Sequence, residues 1–396
     1  MPRVRSLWQI EAEAPVFARL DGDASADVVV VGAGVTGLAC ARRLQADGRS
    51  VVVVDGREVA GGASGRNGGF ASTGSEVRFS EAVERLGRDG ATRLHRATEG
   101  AFAEMCTLAE ELGIAEAVAP TGGLGLAAAG EEADAARADV VAMQECGIDC
   151  RLAPDMIPEW MRPWYETAVH MPGDGALQPA RWVRALAGLA ASDGVTIVEH
   201  APVREVRSVG GGWEASTPAG TITADAVVVA CDGLISSLVP ELDGITLPVR
   251  GQMLATAAAE PVLAMPTWSE AGWTYYRQLG DGRIVIGGAR RTSLDDEFTD
   301  VEAVTAVVQD EVERFVHERL GVTAPVTHRW AGIMGFSADM LPVVGEVPGR
   351  PRLFVSGGYS GVGNVQGYLC GQIAADLVMG RPHPSAAPYA LSRFAA

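Results

Sequence analysis

DVVVVGAGVTGLACARRLQADGRSVVVVD, residues 27–55, contains an apolar strand, a tight glycine turn, a helix and a second strand that ends on a carboxylate. Each glycine of the turn has a physical role. Gly32 permits the sharp bend, Gly34 lets the backbone approach a pyrophosphate, and Gly37 lets the helix pack closely on the first strand. The stretch therefore predicts a βαβ unit that binds a dinucleotide.

The groups that would hold the dinucleotide lie at the ends of these elements. The helix that begins near Val35 would direct unpaired N–H groups and its positive dipole end at the phosphates. Asp55 follows Gly37 by eighteen positions, close to the roughly twenty expected of a residue that accepts a ribose hydroxyl. The predicted contacts are Gly32, Gly34, Val35, Thr36, Gly37, Asp55, Gly56 and Arg57.

A second glycine-rich loop, GGASGRNGG at residues 61–69, directly follows the Asp55 strand. A nicotinamide dehydrogenase has no need of this element. In a flavoprotein, glycines allow backbone N–H groups to approach one edge of the rigid isoalloxazine ring. An ordinary flexible loop is the alternative. The flavin hypothesis adds Gly62, Ala63, Ser64, Arg66, Asn67, Gly68 and Gly69 to the predicted contacts.

Near the other end of the chain, residues 353–356 are typical of a strand and continue into GGYSGVGN at 357–364. An apolar helix follows to about Met379, with Gly380 and Pro382 as its stop signals. Such a helix N-terminus would stabilise negative charge that develops on a ligand. The predicted contacts here are Gly358, Tyr359, Ser360, Gly361, Val362, Gly363 and Asn364.

These three motifs, in this order, resemble those of the D-amino-acid-oxidase-like FAD-dependent oxidoreductases, which include sarcosine, glycine and glutamylputrescine oxidases. Further stretches extend the resemblance over nearly the whole chain, and the SGRNGG loop is most similar to glutamylputrescine-oxidase-like members. The resemblance implies that Val203 lays its backbone against the adenine. It also implies FAD contacts at Cys231, Asp232, Gly233 and Gly332. The implied fold is α/β: a Rossmann-like three-layer FAD-binding domain plus an antiparallel-sheet α+β substrate domain.

Length and hydrophobic periodicity predict how the chain is divided. With 396 residues, the chain exceeds what one core usually organises, so two domains are expected. We predict a discontinuous FAD-binding domain from residues 1–80, 173–240 and 327–396. The substrate domain would take residues 81–172 and 241–326.

Composition excludes several classes of function. The net charge of −18 argues against nucleic acid and anionic membranes as partners. No signal peptide and no membrane-spanning stretch is evident, and the GxxxG spacing of Gly363, Gly367 and Gly371 is interpreted as close helix-to-sheet packing. The six cysteines and six histidines are dispersed, so we expect a cytoplasmic protein without a metal site.

A flavin oxidises a C–N or C–O bond by taking a hydride at N5. The resemblance favours a small-molecule amine or amino acid as the substrate, with O2 or another electron acceptor completing the cycle. An aromatic box would hold an amine by apolar and cation–π contact. By motif position, Tyr276 and Tyr359 are the best candidates for contact with the substrate.

Departures from the family pattern narrow the chemistry. Similar α-amino-acid oxidases place a carboxylate-binding arginine where this chain has Met334, so Arg277, Arg290 or Arg291 would have to take an acid instead. The oxygen-activating lysine of sarcosine oxidases is missing from strand 284–286, which leaves oxidase and dehydrogenase both open. The cysteine and histidine that the family uses for covalent linkage are also missing, so FAD is expected to be non-covalent.

Three alternatives stay open from the sequence. An NAD-dependent dehydrogenase would share only the opening motif. A non-catalytic flavin carrier would share the cofactor motifs but not the chemistry. Among enzymes, oxidation of a hydroxy acid or alcohol, or of an α-amino acid with a non-standard carboxylate clamp, is the alternative to amine oxidation.

Overall fold

The computed structural model describes residues 4–394, which form two compact units. The parallel-sheet unit comprises residues 11–65, 179–249 and 333–394. The antiparallel-sheet unit comprises residues 4–10, 66–178 and 250–332. Each unit is therefore built from three separate segments of the chain.

These boundaries differ most from the predicted ones at the N-terminus and within the second glycine loop, while those predicted at 173, 240 and 327 lie at 179, 249 and 333. Residues 4–10 and 66–80 belong to the antiparallel-sheet unit. Hydrogen bonding explains the difference, because Trp8 Nε1 donates to Asn67 O at 2.7 Å and Phe70 pairs with Ala176 in a small sheet. Which segments bind cofactor and which bind substrate stays a prediction.

Eight α-helices lie within the described residues. In chain order they are α1 Leu7–Glu11, α2 Val35–Ala46, α3 Phe79–Glu111, α4 Glu131–Glu145, α5 Pro179–Ser192, α6 Leu294–Glu297, α7 Ala306–Glu318 and α8 Gly363–Val378. Helix α3 contains non-helical backbone at Gly87, where φ is +71°.

The strands form one sheet in each unit, plus a three-stranded sheet of short strands. In chain order they are β1 Ala24–Val31, β2 Val51–Val54, β3 Phe70–Ala71, β4 Val118–Ala119, β5 Gly123–Ala127, β6 Arg151–Leu152, β7 Thr167–Met171, β8 Gly175–Leu177, β9 Thr196–Val198, β10 Glu205–Val209, β11 Gly212–Thr217, β12 Gly220–Val229, β13 Thr246–Ala258, β14 Thr267–Ser269, β15 Thr274–Gln278, β16 Arg283–Gly288, β17 Val326–Ser337, β18 Val343–Glu346 and β19 Leu353–Gly357.

The core of the parallel-sheet unit is the run β9-β2-β1-β12-β19, in which every neighbouring pair is parallel. Its valine-rich strands are buried on both faces, as parallel sheets are. Strand β12 is continuous, and it pairs with β11 along its first half and with β19 along its second half. The carboxyl ends of β1, β2, β12 and β19 thus lie along one edge.

Helix α8 packs against helix α2 through its glycines. A Cβ on Gly371 would lie 2.3 Å from the carbonyl oxygen of Thr36, and one on Gly367 would lie 2.9 Å from Thr36 Oγ1. These glycines therefore serve helix-to-helix packing, and the expected helix-to-sheet contact was wrong for them. Helices α2 and α8 therefore lie in direct contact within the parallel-sheet unit.

The large sheet of the antiparallel-sheet unit has the order β17-β13-β16-β15-β14-β5-β7-β6. Its described pairs are antiparallel apart from β14 with β5. One face carries an apolar core that includes Tyr276, Ile284 and Ile286 together with Val312 and Phe315 of α7. This combination of one mainly parallel and one mainly antiparallel sheet confirms the predicted α/β fold class with an α+β second unit.

No helix among residues 4–394 is long and apolar enough to cross a membrane.

Candidate functional site

The turn between β1 and α2 depends on close backbone approaches. A Cβ on Gly37 would lie 1.9 Å from the Gly32 carbonyl oxygen, and one on Gly32 would lie 2.6 Å from that of Ala230. Gly32 has a φ of +116°, which residues with side chains rarely adopt. Within residues 4–394, the N–H groups of Thr36 and Gly37 meet no protein acceptor. Helix α2 therefore presents two unpaired donors, the arrangement that binds a phosphate.

Ser64 closes this turn from the second glycine loop. Its Oγ accepts the N–H of Val35 at 3.1 Å, and a Cβ on Gly34 would lie 2.9 Å from the same oxygen. Ala63 and Ser64 belong to a short 3-10 turn, whereas Gly62 faces open space. The predicted first-turn contacts and the start of the second loop are therefore brought together within the parallel-sheet unit.

Asp55 lies at the carboxyl end of β2 with its carboxylate turned to the glycine loop. Its Oδ2 accepts the N–H of Ala33 at 2.7 Å, and its Oδ1 accepts that of Arg57 at 2.8 Å. Removal from water raises the pKa of Asp55, although both N–H bonds favour the carboxylate. Each oxygen keeps a second lone pair for a ribose hydroxyl.

The neighbours of Asp55 have supporting positions. Arg57 donates from Nη1 to the carbonyl oxygen of Gly61 at 3.0 Å, so its side chain folds back on the loop. Gly56 lies where a Cβ would meet Pro202 at 3.1 Å, and the half-buried Val203 packs against the sheet core. The structure thus groups these predicted residues around the end of β2.

Asp232, which follows β12, connects the last residues of β17 with the loop after β19. Its Oδ2 accepts the N–H of Gly335 at 2.7 Å, and its Oδ1 accepts that of Gly358 at 2.9 Å. Gly233 has no room for a side chain, because a Cβ would lie 2.7 Å from the carbonyl oxygen of Met334. Cys231 donates from Sγ to a β1 carbonyl, and burial raises the pKa of its thiol to about 12. Asp232 therefore organises the predicted cofactor loops.

Tyr359 lies inside the parallel-sheet unit, with its hydroxyl hydrogen-bonded to Thr36 Oγ1 at 2.8 Å and to Ser356 Oγ at 3.2 Å. Burial raises the pKa of this phenol well above its usual value. The side chain is only 6% exposed. These contacts anchor the start of α8 to α2, and they do not fit the predicted contact between Tyr359 and a substrate.

The backbone between Tyr359 and α8 bends sharply toward the helix N-terminus. Ser360 has a φ of +53° and donates its N–H to the Gly335 carbonyl oxygen at 2.8 Å. Gly361 has a φ of +109° and no atom near its would-be Cβ, and Val362 caps the helix, which begins at Gly363 and Asn364. The predicted last loop is thus held by the Ser360–Gly335 hydrogen bond and leads directly into the N-terminus of α8.

In the antiparallel-sheet unit, the loop from Arg66 to Gly69 is held by its carbonyl oxygens. Trp330 Nε1 donates to Arg66 O at 2.7 Å, and Trp8 Nε1 donates to Asn67 O at 2.7 Å. The Asn67 side chain accepts the N–H of Gly69 at 2.8 Å. The loop is therefore shaped by side chains that lie far away in the sequence.

The Arg66 side chain is buried and engaged within its own unit. Its Nη1 donates to the carbonyl oxygens of Val4 and Ala331, and its Nε lies 3.6 Å from Glu302 Oε1. Gly332 allows this packing, since a Cβ there would lie 3.1 Å from Arg66 Cβ. The side chain thus holds the loop, and the predicted cofactor contact would have to come from the backbone.

Strand β15 alternates its side chains across the sheet, and this separates two adjacent tyrosines. Tyr276 is fully buried in the apolar core, with its ring centroid 5.3 Å from that of Phe315. Tyr275 lies on the opposite face, edge-on to Phe70 at 6.0 Å. A Cβ on Gly68 would lie 3.0 Å from the Tyr275 ring. The predicted substrate contact at Tyr276 is therefore not supported, and Tyr275 is the tyrosine beside the loop.

Arg277 shares the face of Tyr275 and is also buried. Its Nη1 donates to Gly69 O at 2.6 Å, and its guanidinium lies 5.1 Å from the ring centroid of Trp8. Within residues 4–394 it forms no ion pair, and burial lowers its pKa to about 10. Arg277 therefore holds the loop at 66–69 through the carbonyl oxygen of Gly69. A role for Arg277 in binding a substrate acid stays a prediction.

The other predicted residues are placed as follows. Met334 is half-buried in the parallel-sheet unit. Arg290 and Arg291 both lie over the ring of Trp273, at 5.2 and 4.7 Å from its centroid. No group of three or more metal-ligating side chains is found among the described residues. Trp8, which holds the loop from outside every recognised motif, was not identified from the sequence.

The residues of the parallel-sheet unit fit an FAD molecule. The two unpaired N–H groups of α2 suit a pyrophosphate, and Gly34 leaves no side chain in front of them. Asp55 offers a carboxylate at the position where the ribose hydroxyls of a dinucleotide lie. The fold, the unpaired N–H groups of α2 and the carboxylate of Asp55 together define a dinucleotide-binding protein of the Rossmann-like class.

Comparison with known proteins gives the family. Residues 27–377 match the family described as DAO, FAD dependent oxidoreductase. The chain is 31% identical to a glycine oxidase of Pseudomonas putida over 376 residues, covering 92% of this chain and 98% of that one. It is 30% identical to the probable oxidoreductase OrdL of Rhizobium meliloti over 382 residues, covering 93% and 86%.

A solved glycine oxidase structure from Geobacillus kaustophilus superposes with a TM-score of 0.79 at 26% identity, covering 93% of this chain and 99% of that one. The chain therefore belongs to the DAO family of FAD-dependent oxidoreductases, and FAD is its cofactor. This confirms the resemblance found in the sequence and excludes an NAD-dependent dehydrogenase.

Proposed function

We propose that this protein oxidises the C–N bond of a small amine or amino acid. Bound FAD would supply the oxidant by accepting a hydride at N5, the substrate would lose a proton to solvent, and water would hydrolyse the imine to a carbonyl compound and ammonia or an amine. The two electrons then pass to O2 or to another acceptor. The observation that carries the proposal is the similarity to glycine oxidases over almost the full length of both chains.

The residues of this chain would position the cofactor. The α2 N–H groups of Thr36 and Gly37 would bind the pyrophosphate, and Asp55 would accept a ribose hydroxyl. The N-terminus of α8, fixed by the Tyr359–Thr36 hydrogen bond, would stabilise negative charge on the bound ring. Bound FAD supplies the redox chemistry, and these groups supply its orientation.

In the antiparallel-sheet unit, Tyr275 is the aromatic residue best placed to contact substrate. The glycines beside it are required, because a Cβ on Gly287 would lie 2.8 Å from its ring. An aromatic ring of this kind binds the apolar part of a neutral amine by van der Waals contact. Where the amine is protonated, cation–π attraction adds about 0.5–2 kcal/mol. Tyr275→Leu should therefore raise KM for amines more than Tyr276→Leu does.

Met334 favours an amine whose reacting carbon carries no carboxylate. A thioether cannot form the bidentate, charge-assisted bonds by which an arginine holds a carboxylate. The glycine oxidase relatives favour a second candidate, an α-amino acid whose carboxylate is bound in another way. Arg277, Arg290 or Arg291 would then have to supply the positive charge. These two candidates differ in one measurable preference.

Anaerobic bleaching of the flavin distinguishes the candidates. We expect primary and N-alkyl amines to reduce the flavin faster than glycine or D-alanine, with hydroxy acids inactive. Because the substrate must be the free base, the reduction rate should rise with pH and then level off. Bleaching by glycine alone would support the second candidate, and bleaching by hydroxy acids alone would refute C–N oxidation. A flavin that no compound bleaches would indicate a carrier.

A substitution at Met334 provides the structural control. Met334→Arg should increase kcat/KM for glycine, whereas Met334→Leu, which keeps the volume without the charge, should not. Equal responses of both variants would show that this position does not face the substrate carboxylate.

A further inference from the structure

We propose that Asp174 and Trp268 form a cation subsite beside Tyr275, which binds a second, positively charged group of the amine substrate. The proposal rests on the function proposed above and deepens it, because it names the substrate class as amines that carry a distal cation, such as linear diamines. All residues of the subsite belong to the antiparallel-sheet unit.

The subsite begins with two aromatic residues on neighbouring strands. Trp268 of β14 and Tyr275 of β15 are directly paired in an antiparallel register, so their Cβ atoms lie about 4.5–5.5 Å apart on one face of the sheet. Tyr275 is also paired with Gly287 of β16, and Trp268 with Gly125 of β5. Each aromatic residue thus has a glycine on the side away from the other.

The two rings lean apart over these glycines. A Cβ on Gly287 would lie 2.8 Å from the Tyr275 ring, and one on Gly125 would lie 2.7 Å from the Trp268 indole. Both aromatic side chains remain partly exposed. Diverging rings at paired positions form the two sides of a groove, and the faces of such rings attract cations.

Asp174 supplies a negative charge at the Trp268 side of this groove. A Cβ on Gly123 would lie 2.9 Å from the Trp268 ring and 3.1 Å from Asp174 Oδ2, so both groups adjoin the same point of β5. Oδ1 of Asp174 accepts two hydrogen bonds from Thr73, whereas Oδ2 meets no donor within residues 4–394. One carboxylate oxygen is therefore left for a ligand.

The electrostatics of Asp174 also favour a cationic ligand. The side chain is buried, and Glu99 of α3 adds a repulsive negative charge. Burial and this repulsion raise the pKa of Asp174 to about 7, so the ionised acid opposes folding. A bound ammonium group would supply the counter-charge that the described part of the chain does not. Buried acids with perturbed ionisation are typical of functional sites.

Asp139 provides a matched control. Its Oδ1 also accepts both the N–H and the hydroxyl of one residue, Ser80, but it lies on α4. An Asp→Asn change at either position removes one negative charge and keeps an oxygen for both hydrogen bonds. At Asp174 the change also places an amide NH2 group where the second oxygen adjoins Trp268.

The first test compares two substrates that differ only in a second amino group, hexamethylenediamine and hexylamine. Anaerobic flavin reduction is followed in the FAD-loaded proteins at pH 8, above the pKa of Asp174. We expect the wild type to prefer the diamine, and D174N to lose this preference about tenfold, the effect of one charge-assisted hydrogen bond. W268L should lose part of it, and D139N should match the wild type.

The second test needs no turnover, because tetramethylammonium has no lone pair and cannot be oxidised as an amine. It should raise the unfolding temperature of wild type and D139N above that of the same protein in sodium chloride, but not that of D174N. This pattern without oxidation of any amine would support the subsite and refute the proposed function. Amine oxidation with the same diamine preference in wild type and D174N would overturn the subsite alone. If W268L does not fold, D174N carries both tests.

Discussion

Asp174 is a buried carboxyl group whose ionisation opposes folding. It is 4% exposed and lies at the β7–β8 turn. Its Oδ1 accepts both the N–H and the hydroxyl of Thr73 at 2.8 Å. Within residues 4–394 no cation forms an ion pair with it, and the charged group that affects it is Glu99. Burial therefore raises the pKa of Asp174 to about 7.

The sign of the pH effect follows from this direction. Because the folded-state pKa is raised from 3.8 to about 7, the native state favours the protonated acid. The stabilising contribution is complete below about pH 4 and is lost as pH rises through about 7. The full difference corresponds to about 4 kcal/mol of unfolding free energy.

Asp174→Asn removes the charge while its amide oxygen keeps both bonds from Thr73. We expect the free energy of unfolding of D174N to exceed that of the wild type by an amount that grows between pH 4 and pH 8, approaching about 4 kcal/mol. Urea unfolding of the FAD-loaded proteins at several pH values measures this. Asp300→Asn, at an exposed position, controls for net charge. Wild type and D174N that stay parallel over the whole range would refute the argument.

Three further outcomes are expected. Gly34→Val should give folded but colourless protein, because Ser64 can rotate away from the new side chain while the pyrophosphate position is filled; a stoichiometrically yellow variant would contradict this. Acid precipitation should leave colourless protein and a yellow supernatant, whereas a coloured, washed pellet would show covalent FAD. Asp232→Ala should lower unfolding free energy by about 2–6 kcal/mol in urea titration, because two backbone N–H groups lose their acceptor, and Asp232→Asn should cost less; equal losses would contradict the acceptor role.

The sequence was sufficient to predict the glycine turn between β1 and α2 because its residues are close together in the chain, whereas their contacts with FAD stay a prediction. The turn from Gly32 to Gly37 and the acid at Asp55 belong to one βαβ unit, where spacing fixes geometry. Glycine is needed at position 37 because a Cβ there would lie only 1.9 Å from the carbonyl oxygen of Gly32. Predictions of this kind depend only on local backbone.

The choice between Tyr275 and Tyr276 could not be made from the sequence. Adjacent strand residues face opposite sides of a sheet, so a prediction displaced by one residue selects the wrong face. Which face is core depends on α7, whose Phe315 packs on Tyr276. Motif position alone favoured Tyr276, and only the packing of a helix about 40 residues away assigns it to the core.

The hydrogen bonds that hold the loop at 66–69 show a further limit of prediction from sequence patterns. Trp8 precedes Asn67 by 59 positions and Trp330 follows Arg66 by 264, and a hydrogen bond to a backbone carbonyl leaves no pattern in either partner. Any residue has a carbonyl oxygen, so the accepting position places no demand on residue type. The only signal is two tryptophans buried with their N–H groups satisfied, and that is a property of the fold. Trp182 is equally buried, but its indole N–H has no hydrogen-bond partner among residues 4–394, so burial alone does not identify a tryptophan that holds a loop.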